Sequence, residues 1–169
     1  ISGIGGLEVD LRNGFASTRS PEYLAIHGLP PSAVHESREA WLARVHPEDR
    51  ARTEREFLDA LAGATTEYQA EYRIVRPSDG AVRWIAASVE IERDDSGRAV
   101  RRVGVHSDVT ARRQTEAQLR LLMQELTHRV KNSLTMVQAI ASQTLRSALS
   151  LDAARVTLTA RLLALGEAH

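Results

Sequence analysis

A chain of 169 residues is long enough for one domain with an extension or for two small domains. Its 22 basic and 22 acidic residues leave no net formal charge, and aromatic residues make up only 4%, which together argue against a nucleic-acid-binding protein. No cysteine is present, so disulfides and thiol catalysis are excluded. We find neither an apolar run of about 18 residues nor a signal peptide, and expect a cytoplasmic protein without a membrane span, as part of a longer chain.

Residues 7–63 contain strand patterns followed by helix patterns. Ser20-Pro21 caps and starts a short helix that Gly28 ends, and His27 lies in its last turn, where a partial positive charge suits the helix dipole. His46-Pro47 begins a longer helix with acidic residues in its first turn. The predicted elements are strands at 7–11 and 15–19 joined by the turn Arg12-Asn13-Gly14, and helices at 21–28, 37–45 and 46–63.

Three strands follow as a meander. Pro77–Gly80 makes a hairpin turn into a strand at 81–92, and Asp94–Gly97 makes a second turn into a strand at 99–109. The first strand, at 67–75, alternates between polar residues and an apolar face that consists of Tyr68, Ala70, Tyr72 and Ile74.

One continuous helix is predicted from about 110 to 147, with Asp108 or Thr110 as its cap, and a second helix after Ser150 or Asp152. At about 100° per residue, one face of the first helix is apolar, and His128 lies about 180° from it. The apolar face consists of Leu119, Leu122, Leu126, Val130, Leu134, Val137, Ile140, Ala141, Thr144 and Ala148. A stripe of this length needs partner helices, which predicts a parallel homodimer built around a four-helix bundle.

His128 is the candidate reactive residue of that helix. Imidazole is a nucleophile near neutral pH, so an exposed histidine on a bundle-forming helix suits a phosphoacceptor. The alternative is a histidine with only a surface or capping role, and Asn132, one turn further on the same face, favours the first interpretation. A metal site is not indicated, because no second histidine or carboxylate pair has ligand spacing on that face.

The order of the elements in residues 1–109 is that of a PAS domain. The segments SPEYLAIHGLPPS, WLARVHPEDR, EYRIVRPSDGAVRWI and GVHSDVTAR resemble the PAS_3-type subgroup over nearly all of the first 110 residues. Asp108-Val109-Thr110 resembles the motif that closes PAS domains and leads into a signalling helix. The resemblance implies an α+β fold in which an antiparallel five-stranded sheet with short helices precedes the long signalling helix and the helical hairpin of the dimeric bundle.

The segments ELTHRVKNSLTMVQAIASQTLR and RLLALGEAH resemble the dimerisation and phosphotransfer helices of the HWE family of bacterial sensor histidine kinases, which is related to the HisKA_2 group. The resemblance implies that His128 is phosphorylated, that Asn132 is the amide one turn later, and that His169 belongs to the second-helix motif. In the larger HisKA group an acidic residue follows the phosphoacceptor, whereas Arg129 stands here, so the proton acceptor of His128 is left open. Glu125, Lys131 and Arg129 complete the candidate site.

The sequence therefore predicts a PAS sensor domain at 1–109, a helical linker at 110–118, and dimerisation and phosphotransfer helices at 119–169. By resemblance, the parent protein phosphorylates His128 from ATP with Mg²⁺ and passes the phosphoryl group to an aspartate of a response regulator. No phosphate-binding glycine loop follows residue 147, so the ATP-binding domain is expected elsewhere in the parent protein, and this chain is expected to be inactive alone. The alternative is a non-catalytic scaffold of a PAS module and a coiled coil.

The ligand of the predicted sensor is left open, between a small molecule and a cavity filled with side chains. Without cysteine the flavin-cysteinyl adduct of the light-sensing subgroup is excluded. Haem needs an inward axial ligand, and His106, which alternates with Val103 and Val105, is predicted to face solvent together with Arg102 and Asp108. No role is assigned to Gly5-Gly6, because a dinucleotide site lacks its third glycine and its helix.

Overall fold

The computed structural model describes residues 3–12 and 16–167. The predicted turn at Asn13-Gly14, residue 15 of the predicted second strand, and His169 lie outside these ranges. The described elements are β1 (Ile4–Asp10), β2 (Ala16–Arg19), α1 (Pro21–His27), α2 (Arg38–Arg44), α3 (Pro47–Ala62), β3 (Glu67–Val75), β4 (Val82–Arg93), β5 (Ala99–Asp108), α4 (Thr110–Ser147) and α5 (Leu151–Glu167).

The five strands form one antiparallel sheet in the order β2-β1-β5-β4-β3. The last strand is central because β1 pairs with one of its edges and β4 with the other, as in Leu7 opposite Gly104 and Val89 opposite Gly104. The helices α1 to α3 occupy the connection between β2 and β3. This arrangement confirms the predicted α+β class and the five-stranded antiparallel sheet with short helices.

One face of the sheet carries the core. The larger cluster packs Trp41 of α2 and Phe57 of α3 against strand residues that include Tyr72, Ile74 and Ile85. The predicted alternation in β3 is confirmed at its C-terminal half, where Tyr72 and Ile74 are buried. A smaller cluster joins β1 to α1 through Leu7, Val9, Tyr23 and Leu24. The hydrophobic burial of these aromatic and aliphatic side chains supplies the main stabilisation of the domain.

Helix α1 has the predicted caps. Ser20 Oγ accepts a hydrogen bond from the Tyr23 backbone nitrogen at 3.2 Å, Pro21 is the first helical residue, and Gly28 ends the helix with φ 65°. Gly5, to which the sequence assigned no role, permits the close approach of this helix to β1. A Cβ at Gly5 would lie only 2.5 Å from the Tyr23 backbone nitrogen, so a side chain is sterically excluded there.

Helix α3 is tied to the sheet through its acidic first turn. The Asp49 carboxylate accepts hydrogen bonds from the backbone nitrogen of Arg73 at 2.8 Å and from its guanidinium at 2.6 Å. The Arg73 hydrogen bonds lower the pKa of Asp49. His46 caps the helix through Nδ1, which accepts from the Glu48 backbone nitrogen at 3.4 Å. The first turn therefore uses its charge for a tertiary contact as well as for the helix dipole.

The chain divides after Thr115 into two compact units. We call residues 3–115 the sheet unit and residues 116–167 the helical unit. Helix α4 runs without interruption from Thr110 to Ser147, as predicted, and Ser150 begins α5 by accepting from the Ala153 backbone nitrogen at 3.2 Å. Among the described helices, none has the length and apolar character that a membrane crossing needs.

Candidate functional site

His128 lies on the exposed surface of α4, which is regular α-helix on both sides of it. The angular positions deduced from the sequence therefore apply, with His128 about 180° from Leu119. Within the described residues, the imidazole of His128 makes no hydrogen bond or ion pair. A side chain in this setting is accessible to another protein domain, as an attacking nucleophile must be.

The four predicted residues around His128 differ in their contacts. Glu125 and Arg129 form an ion pair one turn apart, with Arg129 Nη2 2.7 Å from Glu125 Oε1. Both side chains are exposed, so the pair adds little to stability. Asn132 and Lys131 are exposed and project on opposite sides of His128, at about 40° and 60° around the helix. The structure thus places the five predicted residues around one exposed position.

The apolar stripe of α4 is uncovered over its first half. Leu119, Leu126, Val130 and Leu134 are between 55% and 61% exposed. From Val137 onward the stripe becomes partly buried, and Thr144 is 1% exposed, where Arg161 of α5 donates a hydrogen bond to its hydroxyl at 3.2 Å. The helical unit therefore covers only the C-terminal half of its own stripe. Burial of each remaining leucine would contribute about 1.5–3 kcal/mol.

The interior of the sheet unit corrects the prediction for His106. This residue is buried, at 5% exposure. A hydrogen bond of 2.9 Å joins its Nδ1 to His27 Nε2. The alternation of β5 was predicted correctly, but its faces were assigned the wrong way round. Val105 is 41% exposed on the outer face, because only the face that carries His106 is covered by helices.

The interpretation of His27 also changes. It lies in the last turn of α1, as predicted, but it is fully buried and stacks on the Tyr23 ring at 4.1 Å. Burial, then the neighbouring His106, holds its pKa well below the ordinary value, and burial lowers the pKa of His106 to about 3. Both rings are neutral at physiological pH, so neither serves the helix dipole as a cation.

Charged groups are buried next to the histidines. Arg19 of β2 and Arg44 of α2 share the Glu36 carboxylate, with Arg19 Nη2 3.2 Å from Oε2 and Arg44 Nη2 2.9 Å from the same oxygen. All three side chains are at most 9% exposed. Sequence reasoning missed this cluster. Its signal was Arg19 at an inward position of a strand, where an apolar residue is expected.

The cavity inside the sheet unit is small, with a volume of about 20 Å³. It is lined by Leu7, Arg19, Tyr23, Trp41, Phe57, Tyr68, Tyr72, Ala87, Val89, Arg102 and His106. A space of this size holds a single water-sized occupant, whereas a flavin or a haem needs several hundred cubic ångströms. His106 does point inward, but it is bonded to His27 and has no room for a macrocycle beside it. Neither cofactor fits these residues.

The start of α4 is bound to the sheet by several contacts. Asp108 Oδ1 accepts from the Thr110 backbone nitrogen at 2.9 Å, which identifies Asp108 as the cap. Thr110 instead uses its hydroxyl to accept from the Trp84 backbone nitrogen at 2.9 Å. On the outer face, Glu71 of β3 accepts from Arg112 Nη2 at 2.7 Å and from Arg113 Nε at 2.9 Å. The first turn of α4 is therefore attached to both β3 and β4.

Two family models match the chain. The model described as PAS fold matches residues 17–106, and the model described as HWE histidine kinase matches residues 125–169. A blue-light-activated histidine kinase of Brucella anthropi is 35% identical over 150 residues, which cover 89% of this chain and 29% of the relative. The chain thus spans less than a third of the length of that relative.

Solved structures also resemble the chain in fold. A sensory box histidine kinase/response regulator from Burkholderia thailandensis superposes with a TM-score of 0.61 at 28% identity, covering 74% of this chain and 91% of that chain. The N-terminal domain of a diguanylate cyclase with PAS/PAC sensor from Marinobacter aquaeolei gives a TM-score of 0.58 at 25% identity, covering 66% of this chain and 99% of that chain. Over most of its length, the chain is therefore similar in fold to these two solved structures.

Proposed function

Because this chain belongs to the PAS fold family and continues into a segment that matches the HWE histidine kinases, we propose that it is the sensory and phosphoacceptor portion of a two-component histidine kinase. His128 receives the γ-phosphoryl group of ATP and passes it to an aspartate on the receiver domain of a response regulator. One observation carries the proposal: within the matched segment, His128 is exposed on the helix face opposite the apolar stripe.

The residues of this chain contribute a nucleophile and its surroundings. A ring nitrogen of His128 attacks the γ-phosphorus, a nitrogen–phosphorus bond forms, the bond to the ADP oxygen breaks, and the ring loses its proton. ATP and Mg²⁺ are held by the separate ATP-binding domain of the parent protein, which supplies charge neutralisation at the phosphates. Asn132 orients a phosphoryl oxygen or a water molecule, and Lys131 places positive charge on the other side of His128.

The proton from His128 has a local acceptor. Glu125 lies three residues before His128, about 60° around the helix, and its carboxylate is held by Arg129. We propose that Glu125 accepts this proton, because it is the acidic residue of α4 that lies on the face next to that of His128, one turn away. The ion pair fixes the carboxylate on the side of His128 where Asn132 also lies.

The active form is a parallel homodimer. The uncovered leucines of α4 support this part of the proposal, since a second copy of the helical unit would bury them in a four-helix bundle. A parallel arrangement brings the two sheet units to the same end of the paired helices. Phosphoryl transfer from ATP further implies a cytoplasmic location.

The relative from Brucella is named for blue light, but we propose a different kind of signal for this chain. The 169 residues contain no cysteine for a flavin adduct, and the cavity of about 20 Å³ has no space for the ring system. The signal therefore reaches the sheet unit without a flavin.

Phosphorylation of the chain by an added catalytic domain tests the proposal. Supplied with ATP, Mg²⁺ and the ATP-binding domain of an HWE kinase, the chain is expected to gain an acid-labile, base-stable phosphoryl group. His128→Gln should abolish labelling and leave the circular dichroism spectrum unchanged, whereas His35→Gln, at another exposed histidine, should label normally. Labelling that persists in His128→Gln would contradict the assignment, and an intact dimer without any labelling would favour the scaffold alternative.

A further inference from the structure

The cavity of the sheet unit is surrounded by hydrogen-bond donors that have no acceptor. The Nε atoms of Arg19 and Arg102 and the hydroxyl of Tyr68 are buried without a hydrogen-bond partner among the described residues. All three residues line the same cavity, and none of the described residues that line it is a carboxylate. Buried donors without acceptors are rare in folded proteins and indicate a missing water or ligand.

The charge around the cavity is also unbalanced. Glu36 is shared by Arg19 and Arg44, so one carboxylate serves two guanidinium groups. Arg102 is a third guanidinium, and its described contact is with the ring of Phe57, 4.7 Å from the ring centre. Such a contact offsets only part of the cost of partly burying the Arg102 guanidinium, and arginine does not lose its proton at physiological pH.

Neither ring of the histidine pair, His27 and His106, balances the positive charge of the arginines. His27 Nδ1 is buried without a partner, so the favoured tautomer has His27 Nε2–H donating to His106 Nδ1, because it leaves no N–H of His27 unsatisfied. His106 then carries its own hydrogen on Nε2, as a further donor beside the cavity. Burial raises the pKa of the Tyr68 hydroxyl to about 12, so this group also remains a donor.

We propose that the sheet unit binds a monatomic anion, of the size of chloride, between Arg19 and Arg102, with Tyr68 as an additional donor. The cavity of about 20 Å³ admits one water-sized occupant and excludes larger anions without rearrangement. Binding would neutralise the surplus charge of the interior where α1, α2 and α3 meet the sheet. This site would make a monatomic anion the signal of the sensor, and it does not depend on the proposed role of His128.

Thermal unfolding of the 169-residue chain tests the site. Both tryptophans, Trp41 and Trp84, lie in the sheet unit, so their fluorescence reports its unfolding. The chain is titrated with sodium chloride, or with sodium succinate as a larger anion, while sodium gluconate holds the ionic strength constant. At about ten times the Kd, chloride is expected to raise Tm by about 5 °C. A saturable rise with chloride supports the site, and no rise with chloride, or a rise only with succinate, would overturn it.

Variants separate a bound anion from a general salt effect. Arg102→Met should lose the anion-dependent shift and should be at least as stable as the parent chain in gluconate, because it removes a partly buried guanidinium whose Nε has no acceptor among the described residues. Arg55→Met, at an exposed position of α3, should retain the full shift. If Arg102→Met fails to fold, Tyr68→Phe should weaken the apparent affinity about tenfold. Unchanged affinity in Tyr68→Phe, or a full shift in a folded Arg102→Met, would refute the proposal.

Discussion

His27 and His106 share a hydrogen bond of 2.9 Å although 79 residues separate them in the chain. The bond joins the end of α1 to the central strand, near the buried Arg19 and Arg44 and the partly buried Arg102. No carboxylate is recorded among the contacts of either ring within the described residues. Protonation of either ring would add positive charge to a site that already has an excess of it, so the folded protein holds both rings neutral.

We expect the sheet unit to lose stability as the pH falls from 7.5 to 5.5. The folded pKa values of both histidines lie below the unfolded value of about 6.5, so the unfolded chain takes up more protons as the pH falls below that value. Each histidine should lower the free energy of unfolding by about 1.4 kcal/mol over this range. Carboxylates with lowered pKa values, such as Asp49, act mainly at lower pH. Urea unfolding at the two pH values measures the change.

The variants are compared by the slope of the free energy of unfolding against pH, and not by the free energy of unfolding at one pH. His106→Gln should lose about half of the pH dependence, and His128→Gln, which lies outside the sheet unit, is the control. An unchanged slope in His106→Gln would mean that the buried pair does not control the pH response.

Gly5→Ala should destabilise the sheet unit severely, whereas Gly6→Ala should be nearly neutral. A Cβ at Gly5 would overlap the backbone of Tyr23, but a Cβ at Gly6 would meet its nearest neighbour, Ser20 Cβ, at 3.9 Å. Backbone cannot move as a flexible side chain can, so we expect a loss of about 3 kcal/mol or more in the first variant. Chemical denaturation followed by tryptophan fluorescence checks both, and equal stability of the two variants would contradict the packing described here.

Glu71→Gln should loosen the first turn of α4. The carboxylate accepts from Arg112 and Arg113, and these hydrogen bonds lower its pKa. Since the side chains are partly exposed, the loss of stability should be below about 1 kcal/mol. Faster hydrogen exchange at the amides of Thr110 and Arg113, which donate to Asp108 and Val109, is the direct measurement. Glu67→Gln, at an exposed position of the same strand, is the control and should leave the exchange rates unchanged.

Val130→Glu should convert the proposed dimer to a monomer. The substitution places a charge in the middle of the apolar stripe, where burial against a second copy would require its desolvation. Light scattering at micromolar concentration should give twice the chain mass for the parent and the single mass for the variant. Gln124→Glu adds the same charge on the polar face and should remain dimeric. A monomeric parent would refute the homodimer.

Asn132→Ala should change the rate of phosphoryl gain or loss at His128 by more than tenfold, which corresponds to about 1.4 kcal/mol in the barrier. Stability should change little, because alanine has the higher helix propensity at this exposed position. Phosphohistidine formation and decay are measured with the catalytic domain and a response regulator present. Gln138→Ala, another exposed polar residue of α4, is the control, and rates within twofold of the parent would identify Asn132 as surface only.

Local features were accessible from the sequence. The caps Ser20 and Gly28, the turns that contain Gly80 and Gly97, and the uninterrupted helix α4 all follow from short-range chemistry, and the structure confirms them. The face occupied by His128 also follows from helical periodicity alone. The grouping of His128 with Glu125, Arg129, Lys131 and Asn132 needed no tertiary information, because these residues lie within two turns of one helix.

The interior of the sheet unit was decided by tertiary structure. The period of two in β5 separates two faces but does not say which face the helices cover, and the valines suggested the wrong one. The shared carboxylate of Glu36 and the cavity beside Arg102 depend on residues brought together from β2, α2 and β5. The sequence therefore determined the local structure of this protein, wherever residues that are close along the chain are also close in space. Only the fold decided which distant charged residues come together, because long-range contacts leave no periodic pattern in the sequence.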